Sequence, residues 1–492
     1  MSKLYRRELY FMQGFDGVPL AFDVGTSSVV YLDDLTSQIL RIGPEIDVEL
    51  IEKSLGLRFS IGEVQEAIEE LVKSGLLTID PLIVEEPEPY SINNVLVGGV
   101  SFNVSHRCNM RCSYCFGGGG SYKGPRVDMK KNVTKAGLDY LFANCGNLKH
   151  CIISFFGGEP FMNWKVMKWA MNYAYEIAST QGIILTFFIT TNGTLLTDEQ
   201  LEFLNQYDVR LTFSIDGPKE IHDRERRFVV GGGTYEVVRQ NIAKALRHPN
   251  IICQARPTLT PESCGMVTEI YQHLLGLGLV RMHARPESRY GNRPGLSKQQ
   301  YDQLGDSLDN LTQEMILAAD KGQFWGLINV LKFLNMLYFR VVRHDFCGAG
   351  ISVISISPDG SIFPCPRYTG EKKFCLGNIF TGIERSQQSI FSNNSVEDRN
   401  ECKECWARYI CGGGCSYMHW SATGDIKKND VAWCDWTRRS IEIAVKAYAQ
   451  LQSGEEDRMG EFFARFTPLL SDFGDGADEI LANTLKERRR QV

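Results

Sequence analysis

The chain has 492 residues, of which 43% are hydrophobic and 23% charged, and a formal net charge of −6. That length holds roughly two to four domains of ordinary size. The acidic balance excludes a charge-based case for nucleic-acid binding, and no apolar run is long enough to span a membrane. The opening MSKLYRRELYFMQG has charges but no apolar run followed by a small-residue cleavage site, so a mature, cytoplasmic protein is expected. The 15 cysteines are clustered, which in a leaderless chain of this size points to metal ligands before disulfides.

Residues 1–88 are expected to form a compact front module. Tyr5 to Met12, Leu20 to Val24 and Val29 to Leu32 read as short strands between Gly and Asp turns. Two helices follow. The second opens on a capping box, Ser60 with Glu63, carries the apolar stripe Val64, Ile68, Leu71 and Val72, and ends at Gly75. Leu76 to Ile79 returns as a strand, and the order suggests a winged-helix-like unit. Its last helix is acidic (Glu63, Glu66, Glu69, Glu70), which speaks against DNA as its partner. Residues 85–89 (EEPEP) form a charged, proline-rich linker.

Strands and helices then alternate. The predicted strands are Val100–Val104, Ile152–Phe156, Leu185–Thr190, Val209–Ile215, Ile251–Leu259 and Leu279–His283, with helical patterns such as Trp164 to Ser179 and Asp198 to Tyr207 between them. Such alternation predicts a parallel α/β sheet, open or barrel-like, with ligands at the C-terminal strand ends. Cys108, Cys112 and Cys115 lie in CNMRCSYC just after the first strand. Three thiolates on one loop can hold three irons of a four-iron cluster and leave the fourth iron open. A closed zinc site would want a fourth ligand, and the bland alternative is a loop of unrelated thiols. Gly157, Gly158, Glu159 and Pro160 end the second strand, Thr191, Asn192 and Gly193 the third, and Ser214, Asp216 and Gly217 the fourth. Singly, Ser214 or Asp216 could cap a turn; at successive strand ends the set points to a ligand site.

Residues 301–346 read as a helical connection. Residues 347–440 are rich in Cys and Gly with little periodicity, so metal, not a large apolar core, is expected to hold them. There Cys347, Gly360 and Cys365 give C-x12-G-x4-C, and Cys402, Cys405, Cys411 and Cys415 give C-x2-C-x5-C-x3-C, followed by Cys434. Alone, C-x2-C could be half a zinc ribbon. Cys145, Cys151, Cys253 and Cys264 read as buried core thiols. Residues 441–492 form a helical tail whose basic end (Lys486, Arg488, Arg489, Arg490) reads as a solvated helix terminus.

Across roughly 97–290 these motifs resemble the radical S-adenosylmethionine superfamily, whose signature is CxxxCxxC after the first strand, here with Tyr114 as the aromatic before the last Cys. The resemblance implies a partial (β/α)6 TIM barrel over 97–300 and a 4Fe–4S cluster on Cys108, Cys112 and Cys115. The open iron would chelate S-adenosylmethionine, and one electron would release a 5′-deoxyadenosyl radical that takes a hydrogen atom from the substrate. Gly157, Gly158, Glu159 and Pro160 match the family's GGEP motif, in which Glu159 would accept from the amino group. Thr191, Asn192, Ser214 and Asp216 stand where the family contacts ribose and carboxylate. The rear cysteines resemble the SPASM extension of radical enzymes that modify peptides. By position, Cys402, Cys405, Cys411 and Cys434 would close one auxiliary 4Fe–4S cluster, while Cys347, Cys365 and Cys415 would hold another. Related sulfatase maturases have a further Cys where this chain has Val353; either Cys375 fills the gap or an iron stays open for a substrate thiolate. Those maturases also carry an Asp base where this chain has Pro366.

The front phrase LAFDVGTSSVVYLDDLTSQIL resembles the ranthipeptide and six-cysteine peptide maturases, which start with a RiPP recognition element. There a leader peptide would add as a strand beside Val29–Leu32 and Glu63–Ser74; the alternative is a module that only packs on the barrel. Together the resemblances imply a maturase that links a Cys sulfur to a carbon in a ribosomally made precursor peptide. It would use S-adenosylmethionine, three 4Fe–4S clusters and an electron donor such as flavodoxin or ferredoxin. The alternatives are another product (a carbon–carbon link, an epimer or an oxidised residue) and a non-catalytic zinc scaffold.

Overall fold

The computed structural model describes residues 3–81, 95–289 and 293–452. The linker at 85–89 and the basic end at 486–490 lie outside the described residues. In the front module, the stretch expected as one strand from Tyr5 is two, Lys3–Arg6 and Leu9–Gln13, because the chain passes from one sheet to another across Arg7 and Glu8. Three helices follow instead of two: Asp34–Arg41, Val48–Leu55 and Ile61–Lys73. The capping box at Ser60 and Glu63 is formed as the spacing predicts, and Gly75 takes a φ of +75°.

Alternation of side chains binds this module to the rest. Leu9–Gln13, Pro19–Asp23 and Ser28–Tyr31 form an antiparallel sheet with Pro19–Asp23 in the middle. Ala21 faces a small core with Leu4, Ile39, Val64 and Leu71, while Leu20 and Phe22 enter the large core of the molecule. One strand therefore seals two cores. Tyr10 stacks on Trp406 at a centroid distance of 4.0 Å, and its hydroxyl donates to Glu442 at 2.7 Å. Arg408 pairs with Glu8.

The alternating region forms parallel strands β1 (Gly99–Ser105), β2 (His150–Gly157), β3 (Ile184–Thr191), β4 (Val209–Phe213), β5 (Ile251–Ala255), β6 (Arg281–Met282) and β7 (Gly326–Leu327). They lie side by side in chain order. A further strand, β8 (Val353–Ile356), joins the sheet parallel to β1, and its antiparallel partner β9 (Ser361–Phe363) extends it. Near-continuous apolar runs explain the burial: all seven residues of β1 and all five of β4 are buried. The expected strand Ile251–Leu259 ends at Ala255 because Pro257 cannot continue the ladder; Thr258–Leu259 pairs instead with Arg285–Pro286.

Residues 347–440 depart from expectation. The segment has a sizeable apolar core, continuous with the main one, that includes Phe363, Tyr368, Phe374, Phe391, Tyr417 and Trp433. Aromatic rings supply this core in few residues, since each buries a large area without needing a regular period. Among the described residues, no helix is long and apolar enough to cross a membrane.

Candidate active site

The turns after β1 to β6 surround a cavity of about 210 Å³. Cys108, Cys112 and Cys115 all line it, as do Tyr114, Gly157, Gly158, Thr191, Asn192 and Ser214. The cysteine loop is pinned at several points. Met110–Cys112 pairs antiparallel with Arg226–Phe228, with Cys112 opposite Arg226. The Asn192 side chain approaches the Cys108 sulfur at 3.9 Å and donates to Asn109 at 2.9 Å. Burial pushes the Cys108 thiol up to about 12, with Glu159, Cys112 and Cys115 adding to it. Burial also raises Cys112 to about 11, against the pull of Arg226. Thiols so placed become ligands when a cation replaces their protons.

Glycine shapes the wall. A Cβ on Gly158 would strike the Arg107 carbonyl, and one on Gly157, at φ +131°, would strike the Ser105 carbonyl. Without side chains the end of β2 lies directly against the backbone of the cysteine loop, and the two together form a cradle next to three sulfurs. The donor set and the cradle fit a four-iron cluster with its cofactor. Among the described residues, no three or more His, Cys, Asp or Glu gather as a site for a single metal ion. A cluster instead spreads its thiolates over separate irons. Cys108, Cys112 and Cys115 would hold that cluster.

Three predicted contacts stand elsewhere. Glu159 is fully buried and does not line the cavity. Its carboxylate accepts from the Asn192 amide at 2.7 Å, the Thr191 hydroxyl at 2.8 Å and the Phe161 amide at 3.1 Å. Burial raises its pKa to about 7 against these bonds. Glu159 thus clips the end of β3 to the end of β2. Pro160, also buried, starts the short helix Pro160–Asn163. Asp216 is occupied too: its oxygens accept from Arg226 at 2.8 and 3.1 Å, from Tyr114, and from the Thr258 amide at 2.9 Å. Burial works against the charge on Arg226, and Asp216, Tyr114 and Cys112 more than offset it. The outcome is a buried ion pair that holds a guanidinium 4.0 Å from the Cys112 sulfur. No sequence motif marked Arg226. Arg256, His283 and Arg285, which also line the cavity, follow β5 and β6 directly, and that placement was the signal that could have found them.

The rear cysteines fall into two groups. Cys402, Cys405 and Cys411 all act electrostatically on Cys434, and Cys402 and Cys405 on Cys411, which burial raises to about 11. Cys347, Cys365 and Cys415 instead converge on Tyr368, whose hydroxyl is pushed far up by burial first and by their charges after it. Cys365 also lines the main cavity, and with Cys347 and Val353 it lines a smaller one of about 20 Å³. Cys375 points elsewhere, donating to the Gly377 carbonyl at 3.3 Å. Cys145, Cys151, Cys253 and Cys264 are buried, as read from the sequence.

Residues 102–282 match the model of the Radical SAM superfamily. A cysteine-type anaerobic sulfatase-maturating enzyme of Clostridium perfringens (strain 13 / Type A) is 24% identical over 344 residues, 63% of this chain and 86% of that protein. The radical SAM cyclopropyl synthase TigE of Paramaledivibacter caminithermalis is 22% identical over 373 residues, 71% of this chain and 75% of that protein. An uncharacterized protein of Methanocaldococcus jannaschii is 32% identical over 282 residues, 56% of this chain and 86% of that protein. Among solved structures, native anSMEcpe with bound AdoMet and Cp18Cys peptide shares the fold at a TM-score of 0.61 and 20% identity, covering 72% of this chain and 99% of that one.

Proposed function

We propose that this chain, a member of the radical SAM superfamily, installs a thioether between a Cys sulfur and a carbon of a ribosomally made precursor peptide. One observation carries the reading: Cys365, from the rear cysteine group, lines the same cavity as Cys108, Cys112 and Cys115. A substrate in that cavity touches both ligand sets at once. The sulfatase-maturating relative, which acts on a protein, supports a peptide substrate, as does the anSMEcpe structure with a bound peptide.

When bound, S-adenosylmethionine and its cluster supply the radical that removes the substrate hydrogen. The chain's own residues do the positioning. Thr191, Asn192 and Ser214 offer polar groups at the strand ends, and Gly157 and Gly158 admit the cofactor closely. Pro366, also on the cavity wall, cannot accept a proton, so no base stands where the sulfatase maturases carry theirs. Val353 offers no sulfur beside Cys347 and Cys365, and Cys375 is turned to Gly377. Both facts favour an auxiliary site held by three thiolates, with room for a substrate thiolate as the fourth. Cys402, Cys405, Cys411 and Cys434 complete the second auxiliary site, for three clusters in all. Ser28–Tyr31 has one strand neighbour among the described residues, which leaves an edge beside which a leader peptide can add.

The test is anaerobic incubation of reconstituted, reduced full-length protein with S-adenosylmethionine and a panel of short synthetic Cys-rich peptides. The product is expected to be lighter by the two hydrogens of the C–H and S–H bonds replaced, with that Cys resistant to alkylation. A product of unchanged mass, or one whose cysteines all alkylate, would replace the thioether by another modification.

A further inference from the structure

The hairpin that steadies the cysteine loop has a second face, turned away from the cavity. Met110–Cys112 and Arg226–Phe228 run antiparallel, so their side chains alternate between the two faces. Met110, Cys112 and Arg226 line the cavity. Arg111 and Arg227 point the other way, are exposed, and stand directly opposite each other in the ladder. Like charges at opposed positions destabilise a sheet. Among the described residues no carboxylate bonds either guanidinium, and Arg227 donates to the Asp223 carbonyl at 3.1 Å. The carboxylates closest in the chain are engaged. Asp223 accepts from the Thr234 and Tyr235 amides at 2.7 and 2.9 Å, and Glu225 accepts from Ser113 and, at 3.2 Å, from Arg224. Beyond the ladder lies an apolar tip. Val229 and Val230 are 47% and 95% exposed, and the Val229 amide bonds the Asn109 carbonyl at 3.0 Å, which fastens the tip to the cysteine loop. The whole chain carries a net charge of −6, so this face locally reverses its sign. Exposed apolar side chains beside an uncompensated charge of one sign suit a transient contact with a protein of the opposite sign.

We propose that this outer face of the cysteine hairpin docks a small acidic protein that carries one low-potential electron, with Arg111 and Arg227 meeting its carboxylates and Val229 and Val230 its apolar surface. The proposal rests on the reading of the chain as a radical enzyme whose cluster sits on Cys108, Cys112 and Cys115. Electron transfer between proteins falls steeply with distance, and Arg111 is the chain neighbour of Cys112. A carrier seated here brings its redox group close to the cluster, while the cavity on the other face stays open to cofactor and substrate. One electron leaves the carrier, which is the reductant, and enters the cluster; no bond forms or breaks. Contacts of this kind are small and weak, and opposite charge speeds their encounter.

The experiment uses reconstituted full-length protein and two acidic probes, a flavodoxin and a plant-type ferredoxin. Hydrogen exchange of the wild type is compared with and without oxidised carrier. With at least one probe, added protection is expected at 110–112 and 226–230, and it should vanish at about 0.5 M salt. Binding by calorimetry should weaken about tenfold in Arg111→Glu and in Arg227→Glu. It should hold in Arg247→Glu, the same charge reversal at an exposed arginine just before β5, at the other end of the strands. Release of 5′-deoxyadenosine driven by the reduced carrier should fall by about the same factor, while release driven by dithionite, which needs no docking, is unchanged. Binding of neither probe, or protection of the wild type only elsewhere, overturns the proposal without needing any variant to fold. An equal loss in Arg247→Glu reduces the effect to net charge and overturns it as well. A matching fall in dithionite-driven release makes the arginines supports of the loop and also overturns it. Wild type that releases 5′-deoxyadenosine with dithionite but fails these tests loses only the docking face, whereas wild type that never releases it loses the wider reading.

Discussion

The front and rear cysteine groups reach their places by opposite routes. Cys108, Cys112 and Cys115 sit on a loop whose neighbours are already rigid: β1 runs into it, Arg226–Phe228 is laddered to it, and Asn192 and Arg226 touch its sulfurs. Cys402 and Cys411 sit on four-residue helices, Cys405 between them and Cys434 in the first turn of the long helix Val431–Gln452; no sheet pairs any of them, and they lie against a packing of aromatic rings. The difference teaches that the front site is shaped by the sheet before any metal arrives. The rear cysteines are carried by elements packed on an apolar core but without a ladder of their own, so a metal bound there is expected to add more to local stability than one bound at the front.

The sharpest way to break this contrast is to remove one ligand from each group. Cys411→Ala and Cys108→Ala should each lower bound iron by about four per chain. Only Cys411→Ala should also cause a large fall in melting temperature. Equal destabilisation would erase the distinction. Next in size is the ion pair behind the front loop. Arg226→Ala leaves Asp216 buried without its partner and should cost about 3–5 kcal/mol by chemical denaturation. A change under about 1 kcal/mol would mean that the loop does not depend on that pair. The glycine cradle comes third. Gly158→Ala drives a methyl against the Arg107 carbonyl and should cost about 1–3 kcal/mol as overpacking. It should also weaken S-adenosylmethionine binding, read by equilibrium dialysis; unchanged affinity would remove the cradle from the cofactor site. The smallest effect belongs to the joint between the front module and the rear domain. Tyr10→Ala removes a stacked pair worth about 0.5–1.5 kcal/mol beyond area. Hydrogen exchange should rise on both sides of the joint, in Leu9–Gln13 and around Trp406; a rise confined to one side would show that the two units are not coupled there.

The sequence made the front site readable because its ligands are local. Cys108 to Cys115 lie within one loop, and the glycines that flank them announce themselves as Gly–Gly pairs. The parallel strands were readable for the same kind of reason, as apolar runs between amphipathic helices. Long-range pairings were not. Nothing near Arg226 says that it will bond Asp216 and lie beside Cys112, and nothing near Val353 says that β8 will pair with β1 across the sheet. Glu159 and Asp216 stand at the expected strand ends, yet their side chains turn inward. Position in a motif fixes the Cα and leaves the rotamer to the packing. The rear core was missed because aromatic residues spaced without a helical or strand period still find one another in three dimensions.

The most direct measurement is chromatographic detection of 5′-deoxyadenosine from reconstituted, reduced full-length protein given S-adenosylmethionine. The account predicts its formation by the wild type and by Cys402→Ala, and its loss in Cys112→Ala. A wild type that forms none, or a Cys112→Ala protein that forms as much, would contradict it.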